Sequence, residues 1–381
     1  VADLSVVLAG GGTAGHVNPL LATAAELCRT ERDTRVLVLG TAEGLEADLV
    51  PAAGLGLTVI PKVPLPRRPS TEWLAFPGRW RAAVRTAADA LDAADADVVV
   101  GFGGYVATPA YMAARRRGVP IVVHEQNARP GLANRVGARF AAAVGVTFPD
   151  TPLPGATLVG LPLRPAIADL VAARATDAPG AARHGARSLG LDPDRTTVLV
   201  TGGSLGALRL NTAVPQVAAQ FVASGAQVLH LTGRGKSAGV TEALADAGDD
   251  VRAHYHVREY LSEMEDALAC TDLVIARSGA GTVSELSALG IPAVYVPLPV
   301  GNGEQRLNAA ATVAAGGGIL IPDADLTAQW LTERVLPLVA DAERLTEMGR
   351  RAASVGVRDG ATRLADLVRG AARRDARGSA A

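Results

Sequence analysis

Lysine is almost missing from this chain. Lys62 and Lys236 are the only two, and the remainder of the 37 basic residues are arginine. With so much alanine beside it, this bias reads as genomic composition more than chemistry. Aromatic residues are 3% of the chain, so the core is expected to consist of Ala, Val and Leu. Cysteine is limited to Cys28 and Cys270, which excludes a disulfide framework. Both lie in apolar-periodic segments and are expected to be buried thiols in a reducing compartment. A net charge of −1 argues against a general nucleic-acid binder. There is no signal peptide and no apolar run of membrane-spanning length, so a soluble or peripheral, cytoplasmic protein is expected. No Asp-x-Asp pair stands at the carboxyl end of an expected strand; Asp192-Pro-Asp194 precedes one and reads as a turn, so no metal site is expected.

Glycine, by contrast, is placed with a pattern. Leu4–Ala9 reads as a buried strand, followed by Gly10-Gly-Gly-Thr-Ala-Gly-His16, a helix from about residue 20 to 29 after Pro19, and a strand at 35–39. This is a βαβ start with a glycine-rich turn. The match to Gly-x-Gly-x-x-Gly is poor, and Gly40 and Thr41 occupy the strand end where a dinucleotide site places its acid. Hydride transfer is therefore disfavoured. His16 stands where the loop enters the helix, where an imidazole tends to stay neutral and can serve as base or hydrogen-bond partner. A structural or capping histidine is the plain alternative. Further strands at 97–101 and 120–124 run into Phe102–Pro109 and into His124-Glu-Gln-Asn127. In open parallel sheets ligands bind at that carboxyl edge.

The same pattern restarts at Thr197–Thr201, with Gly202-Gly-Ser204 at the turn, a helix from Leu210 to Val222, strands at 227–231, 251–255 and 272–276, and one at 293–297. Two similar doubly wound α/β domains joined near 160–165 are expected. Residues 172–190, broken by Pro179, read as a loose surface connection. In the second domain Arg277-Ser-Gly-Ala-Gly-Thr-Val-Ser-Glu285 follows a buried strand and opens a helix. Helix N–H groups and glycine make an anion site there, and Glu285 can accept from a ribose diol. An ordinary capped helix would read the same way. Ser204 is placed like a phosphate binder.

One segment stands apart. Residues 64–85 hold Trp73, Phe76 and Trp80 in an aromatic-poor chain, among Arg67, Arg68, Arg79, Arg81 and Arg85. Rings with cations in a Pro-broken segment fit an interfacial membrane patch, and equally a domain cap with a solvated arginine face.

Together, Gly10–Val17, Gly103-Gly-Tyr105, His124-Glu-Gln-Asn127, Gly202-Gly-Ser204, Arg277–Glu285 and Glu304-Gln305 resemble the motifs of the MurG transferases of peptidoglycan synthesis, over nearly the whole chain. The resemblance implies the GT-B fold, α/β with two doubly wound Rossmann-like parallel-sheet domains facing across a cleft. It implies an acceptor-binding domain at 1–163, a donor domain at 164–351 and a helix at about 352–381 packing back on the first. It implies inverting transfer of N-acetylglucosamine from UDP-N-acetylglucosamine to lipid I, giving lipid II, at the cytoplasmic face of the membrane. No cofactor and no nucleic acid are implied.

By the same resemblance Glu285 takes the ribose, Ser204 and Ser278, Gly279, Ala280 and Thr282 the pyrophosphate, Leu261 the uracil and Gln305 the sugar. Arg164 contacts the nucleotide. Thr13, Ala14, Gly15 and Asn127 approach the donor sugar. Tyr105, His124, Glu125 and Asn134 line the acceptor side with His16. Arg277 and Asn211 hold the donor turns. The lipid acceptor favours the membrane reading of Trp73, Phe76, Arg79, Trp80 and Arg81 over an anionic surface. Glu304 stands where a glutamine is usual, and Leu161 where the hinge usually has Asn. His16 or Glu125 is the candidate base, with His16 favoured because imidazole titrates near working pH. The alternatives are a UDP-N-acetylglucosamine 2-epimerase and a GT-B transferase with a soluble acceptor.

Overall fold

The computed structural model describes residues 4–31, 33–64, 72–203 and 207–378, with 72, 73 and 374–378 described as backbone alone. Two compact units emerge. One comprises Val1–Pro165 with Asp359–Ala381, the other Ala166–Arg358.

In the first unit the strands are β1 (Ser5–Gly10), β2 (Arg35–Gly40), β3 (Gly56–Val59), β4 (Val98–Gly103), β5 (Ile121–Glu125), β6 (Ala143–Val146) and β7 (Ala156–Leu158). The helices between them are α1 (Ala14–Thr30), α2 (Glu46–Ala52), α3 (Glu72–Ala94), α4 (Gly104–Arg117) and α5 (Leu132–Gly137). All pairings are parallel, in the order β3-β2-β1-β4-β5-β6-β7. Side chains alternate across the sheet. Val6 and Leu8 face one core layer with Val98 and Val100, while Val7, Ala9 and Val99 face the other, under α3 and α4. The strand order reverses between β1 and β4, the place where such sheets bind ligands.

The second unit repeats the plan. Its strands are β8 (Thr196–Thr201), β9 (Ala226–Leu231), β10 (Tyr255–Arg258), β11 (Leu273–Ala276), β12 (Ala293–Tyr295) and β13 (Gly318–Leu320), ordered β10-β9-β8-β11-β12-β13 and parallel throughout. Its helices are α6 (Pro165–Ser188), α7 (Leu208–Ala213), α8 (Ala218–Ala223), α9 (Ala238–Ala243), α10 (Asp249–His254), α11 (Met264–Ala269), α12 (Ala280–Leu289), α13 (Glu304–Asn308), α14 (Ala310–Ala314), α15 (Ala328–Arg334), α16 (Leu336–Val339) and α17 (Ala342–Ala353). Finally α18 (Gly360–Gly378) belongs to the first unit. It buries Leu364, Ala365 and Val368 on the layer of Val6 and Leu8, and Thr362 donates to Glu26 on α1 at 2.8 Å. The contact partition thus falls after Pro165 and again before Asp359.

Several local expectations are corrected. Residues 172–188 are helical apart from one break, not a loose connection. Asp177 breaks the helix (φ −147, ψ 80), its carboxylate accepts from Gly180 N–H at 2.8 Å, and so it caps a second segment in which Pro179 stands in the first turn. That is the position where proline costs a helix nothing. In α1 the helix starts at Ala14, six residues ahead of Leu20, with Pro19 inside it. Likewise α4 starts at Gly104, within what reads as a loop. The expected helix over 210–222 divides at Pro215. Residues 249–254 are helical and the strand begins only at Tyr255. Cys28 is exposed, whereas Cys270 is buried. The short edge strands β3, β7 and β13 carry too few apolar residues to announce themselves.

Candidate active site

The first unit's site grows from the turn after β1. Thr13 takes an extended conformation (φ −133) ahead of α1, and its carbonyl accepts from His16 N–H at 3.0 Å and Val17 N–H at 3.1 Å. Thr13 and Gly15 are exposed, Ala14 and His16 half-buried. The His16 ring is fixed at Nδ1, which lies 3.1 Å from the Gly11 carbonyl and 3.2 Å from Thr13 Oγ1. A carbonyl only accepts, so Nδ1 carries the hydrogen and Nε2 is left with its lone pair. Burial holds the imidazole below its ordinary pKa, while the Gly11 carbonyl and the Glu46 carboxylate pull it part of the way back.

Sequence reasoning missed Glu46. It is fully buried, and its Oε2 accepts from Gly12 N–H at 2.8 Å. Oε1 accepts from Thr41 N–H at 2.9 Å and Thr41 Oγ1 at 2.7 Å. A β-carbon on Gly11, Gly40 or Gly44 would strike this side chain, so three glycines clear its pocket. Burial pushes the carboxyl up, but the bonds from Gly12, from its own amide and from Thr41 outweigh that and hold it below its ordinary value. The acid missing from the end of β2 is thus supplied six residues later. A glycine-flanked Thr-Ala-Glu-Gly-Leu-Glu run was the available signal.

Beside His16 stands the end of β4. At Gly103 (φ +96) a β-carbon would be strained and would crowd its neighbours, lying 3.2 Å from His16 Nε2 and 3.4 Å from Asn134 Nδ2. This brings His16 and Asn134 to one place. Asn134 Nδ2 donates to Glu125 Oε2 at 2.9 Å and to the His124 carbonyl at 3.1 Å. Its Oδ1 accepts from the Tyr111 hydroxyl at 2.8 Å. Glu125 also accepts from Asn127 N–H at 2.9 Å and Gly131 N–H at 3.0 Å. Burial raises its pKa against these bonds from Asn127, Asn134 and Gly131.

Not all of these residues line an open surface. His124 has no exposed surface: Nε2 donates to the Gly160 carbonyl at 3.0 Å and Nδ1 accepts from the Gln126 amide at 3.1 Å. Burial lowers its pKa to about 4. Glu125 and Asn134 are each 2% exposed. These three residues, expected on the acceptor side, are thus buried. Tyr105, 46% exposed at the start of α4, and half-buried Asn127 remain accessible.

In the second unit Gly279 precedes α12 in extended conformation (φ −63, ψ 152), and among the described residues no side chain caps the helix. The first intrahelical bond from this end runs from Val283 N–H to the Gly279 carbonyl at 3.0 Å, so the N–H groups of Ala280, Gly281 and Thr282 stay available to an anion. Glu285 is half-buried on the same helix, one turn on. Ser278 is fully buried. Its hydroxyl has no hydrogen-bond partner among the described residues, and its carbonyl accepts from Asn308 at 3.3 Å. Arg277 bonds the Val296 and Pro297 carbonyls at 3.0 and 3.2 Å and pairs with Asp323. It thereby ties the end of β11 to the end of β12.

The Gln305 side chain accepts from Leu298 N–H at 2.9 Å, and Leu261 is half-buried after β10. Asn211 donates to the Thr232 carbonyl at 3.0 Å and accepts from His230 Nε2 at 3.1 Å. Arg164 is half-buried in the first unit's last stretch. Ser204 lies outside the described residues.

Over 72–94 the chain is one helix running through Pro77. Phe76 stacks on Trp80 with ring centroids 6.1 Å apart, and Trp80 packs on the core beneath α3. Arg79 and Arg81 are exposed, as is Leu74 at 86%. The Trp73 side chain lies outside the described residues. Among the described residues no helix is long and apolar enough to cross a membrane.

Two parallel doubly wound units, with an imidazole-bearing glycine turn in one and an anion-ready helix start in the other, define a glycosyltransferase of the GT-B fold. Residues 6–146 match the glycosyltransferase family 28 N-terminal domain and residues 197–364 its C-terminal domain. The chain is 55% identical over 366 residues to the UDP-N-acetylglucosamine--N-acetylmuramyl-(pentapeptide) pyrophosphoryl-undecaprenol N-acetylglucosamine transferase of Nocardioides sp., covering 96% of this chain and 97% of that one. It therefore belongs to the MurG family of these transferases. The crystal structure of Acinetobacter baumannii MurG superposes with TM-score 0.77 at 27% identity, over 96% of this chain and 99% of that one. A Neisseria meningitidis UDP-GlcNAc 2-epimerase gives TM-score 0.68 at 13% identity, over 96% and 99% of the two chains, a likeness of fold alone.

Proposed function

We propose that this chain transfers N-acetylglucosamine from UDP-N-acetylglucosamine to lipid I, giving lipid II with inversion at the anomeric carbon. The observation that carries the reading is 55% identity along 96% of the chain to a transferase of that name. His16 is the general base. Its Nδ1 is occupied by the Gly11 carbonyl, and Nε2 takes the acceptor hydroxyl's proton as the oxygen attacks. Glu125, already accepting from three donors, supports the acceptor face from beneath. Amides at the start of α12 meet the pyrophosphate charge as UDP departs, Glu285 holds the ribose, Leu261 the uracil and Gln305 the sugar. This reading uses no resident metal.

The acceptor is a lipid, and α3 suits its surface. Leu74 is exposed on this helix, Phe76 and Trp80 are partly exposed, and Arg79 and Arg81 are exposed for anionic headgroups. The protein accordingly works as a peripheral protein on the cytoplasmic face of the membrane.

Incubation with labelled UDP-N-acetylglucosamine, with and without a lipid I analogue, tests the reaction. Lipid-dependent UDP release with labelled disaccharide-lipid is expected. Epimer formation without acceptor would overturn it.

A further inference from the structure

The Gly11–Gly12 peptide unit is held at both ends. Its N–H donates to Glu46 Oε2 at 2.8 Å, and its C=O accepts from His16 Nδ1 at 3.1 Å. A peptide is planar with N–H and C=O pointing opposite ways. The carboxylate, the amide and the imidazole therefore lie in series. We propose that Glu46 is a positioning residue for the base, acting on His16 through the Gly11–Gly12 peptide bond. The proposal rests on the reading of His16 as that base.

Three observations support a charged relay over a simple strut. Glu46 is fully buried, yet both oxygens are met by donors, Gly12 N–H on one and the Thr41 N–H and hydroxyl on the other. A neutral amide in its place would turn an NH₂ group towards one of those donors. Gly11, Gly40 and Gly44 leave room for its carboxylate and for no side chain of their own. Gly12 adopts φ +89, which aims its N–H at the carboxylate and the Gly11 carbonyl at the ring. Hydrogen bonds in series polarise one another.

The proton count is simple. The acceptor hydroxyl proton passes to Nε2, the oxygen forms the new bond to the anomeric carbon, and the bond to the UDP oxygen breaks with its electron pair leaving on UDP. Glu46 stays ionised throughout. Its charge favours the imidazolium, and its hold on the peptide keeps Nδ1 protonated before the reaction. The other titratable groups around the loop are Tyr105 and Tyr111 on α4 and His124 and Glu125 on β5. Glu46 is the one whose charge acts on His16.

The test uses the full chain with ¹⁵N-labelled histidine, the His16 signal being assigned from His16→Gln. In the unsubstituted protein neutral His16 is expected as the Nδ1–H tautomer. Glu46→Gln is expected to lower the His16 titration midpoint by about one pH unit. It should also cut kcat about tenfold, with KM for UDP-N-acetylglucosamine unchanged. The acidic limb of the kcat profile should move down by the same interval, and Glu46→Asp, which keeps the charge, should restore most of both. A neutral Nε2–H tautomer in the unsubstituted protein, or an unmoved midpoint in Glu46→Gln, overturns the relay; the first needs no Glu46 variant to fold. A midpoint that moves while the kcat limb stays fixed refutes His16 as base and leaves the Glu46–His16 coupling standing.

Discussion

Asn134 shares one carboxylate oxygen of Glu125 with the Gly131 amide. Its Nδ2 reaches Glu125 Oε2 at 2.9 Å while Asn127 and Gly131 supply backbone N–H groups from the loop. The same Asn134 accepts from the Tyr111 hydroxyl, so one amide links α4, α5 and β5. Asn134→Ala would strand the buried Tyr111 hydroxyl and remove one of the donors to Glu125. A loss of about 1–3 kcal/mol is expected, read as faster amide hydrogen exchange along β5 and a lower urea midpoint.

His16→Ala should lower kcat by roughly two to four orders of magnitude. UDP binding, assigned to the second unit, should persist in calorimetry. Near-normal turnover would remove His16 from the chemistry.

Gly103→Ala would place a β-carbon at φ +96 and 3.2 Å from His16 Nε2. The backbone strain costs about 1–2 kcal/mol. The larger expected effect is on kcat, because the base is displaced while the sheet beneath it stays intact. Circular dichroism melts alongside steady-state kinetics separate the two.

Two buried histidines give the fold an acid limit. Burial lowers His124 and His230 to about 4 from 6.5. A base whose folded pKa lies below its unfolded value takes its proton more readily when unfolded. The stability it supports is therefore complete above about 6.5 and is lost as pH falls through about 4. Each is worth about 3 kcal/mol across that window. Exchange on β5 peptides should report His124 and on β9 peptides His230. His124→Gln should flatten the pH dependence of β5 alone.

On α3, exposure separates binding from folding. Leu74→Ser should weaken sedimentation with anionic vesicles without moving the melt, since Leu74 is 86% exposed. Trp80→Ala should lower the melt as well, because Trp80 packs on the core. Arg79→Glu with Arg81→Glu should cost about 1 kcal/mol of vesicle affinity per charge, an effect that salt removes. Unchanged vesicle binding in all three would count against the membrane reading.

The sequence made the two-unit plan legible because buried parallel strands are short apolar runs that meet glycine at their carboxyl ends, at Gly10 after Val6–Ala9 and at Gly202 after Thr197–Thr201. The glycine turns, His16, Glu125 and the Arg277–Glu285 stretch were legible for the same reason. What sequence could not supply was direction. His124 and Asn134 look like surface ligands in a polar run, and only packing turns them inward against Gly160 and Tyr111. Glu46 was invisible because its partners are backbone groups at Gly12 and Thr41, which leave no mark in side-chain spacing. Pro19 and Pro109 misled in one way: each sits inside a helix that starts earlier than the proline suggests, whereas Pro179 does mark a break, at Asp177.

The placement of α18 has a consequence for synthesis. Leu364, Ala365 and Val368 complete a core layer begun by Val6 and Leu8, so the first unit's opening strand waits for a helix translated after the whole second unit. Residues 166–358 emerge in between. At roughly 5–20 residues per second that interval is on the order of ten seconds or more. During it the apolar face destined for α18 is uncovered on the nascent chain, while the inserted second unit already has every strand it needs. The second unit should thus become protease-resistant first, and the imidazole-bearing unit should mature only once α18 has emerged.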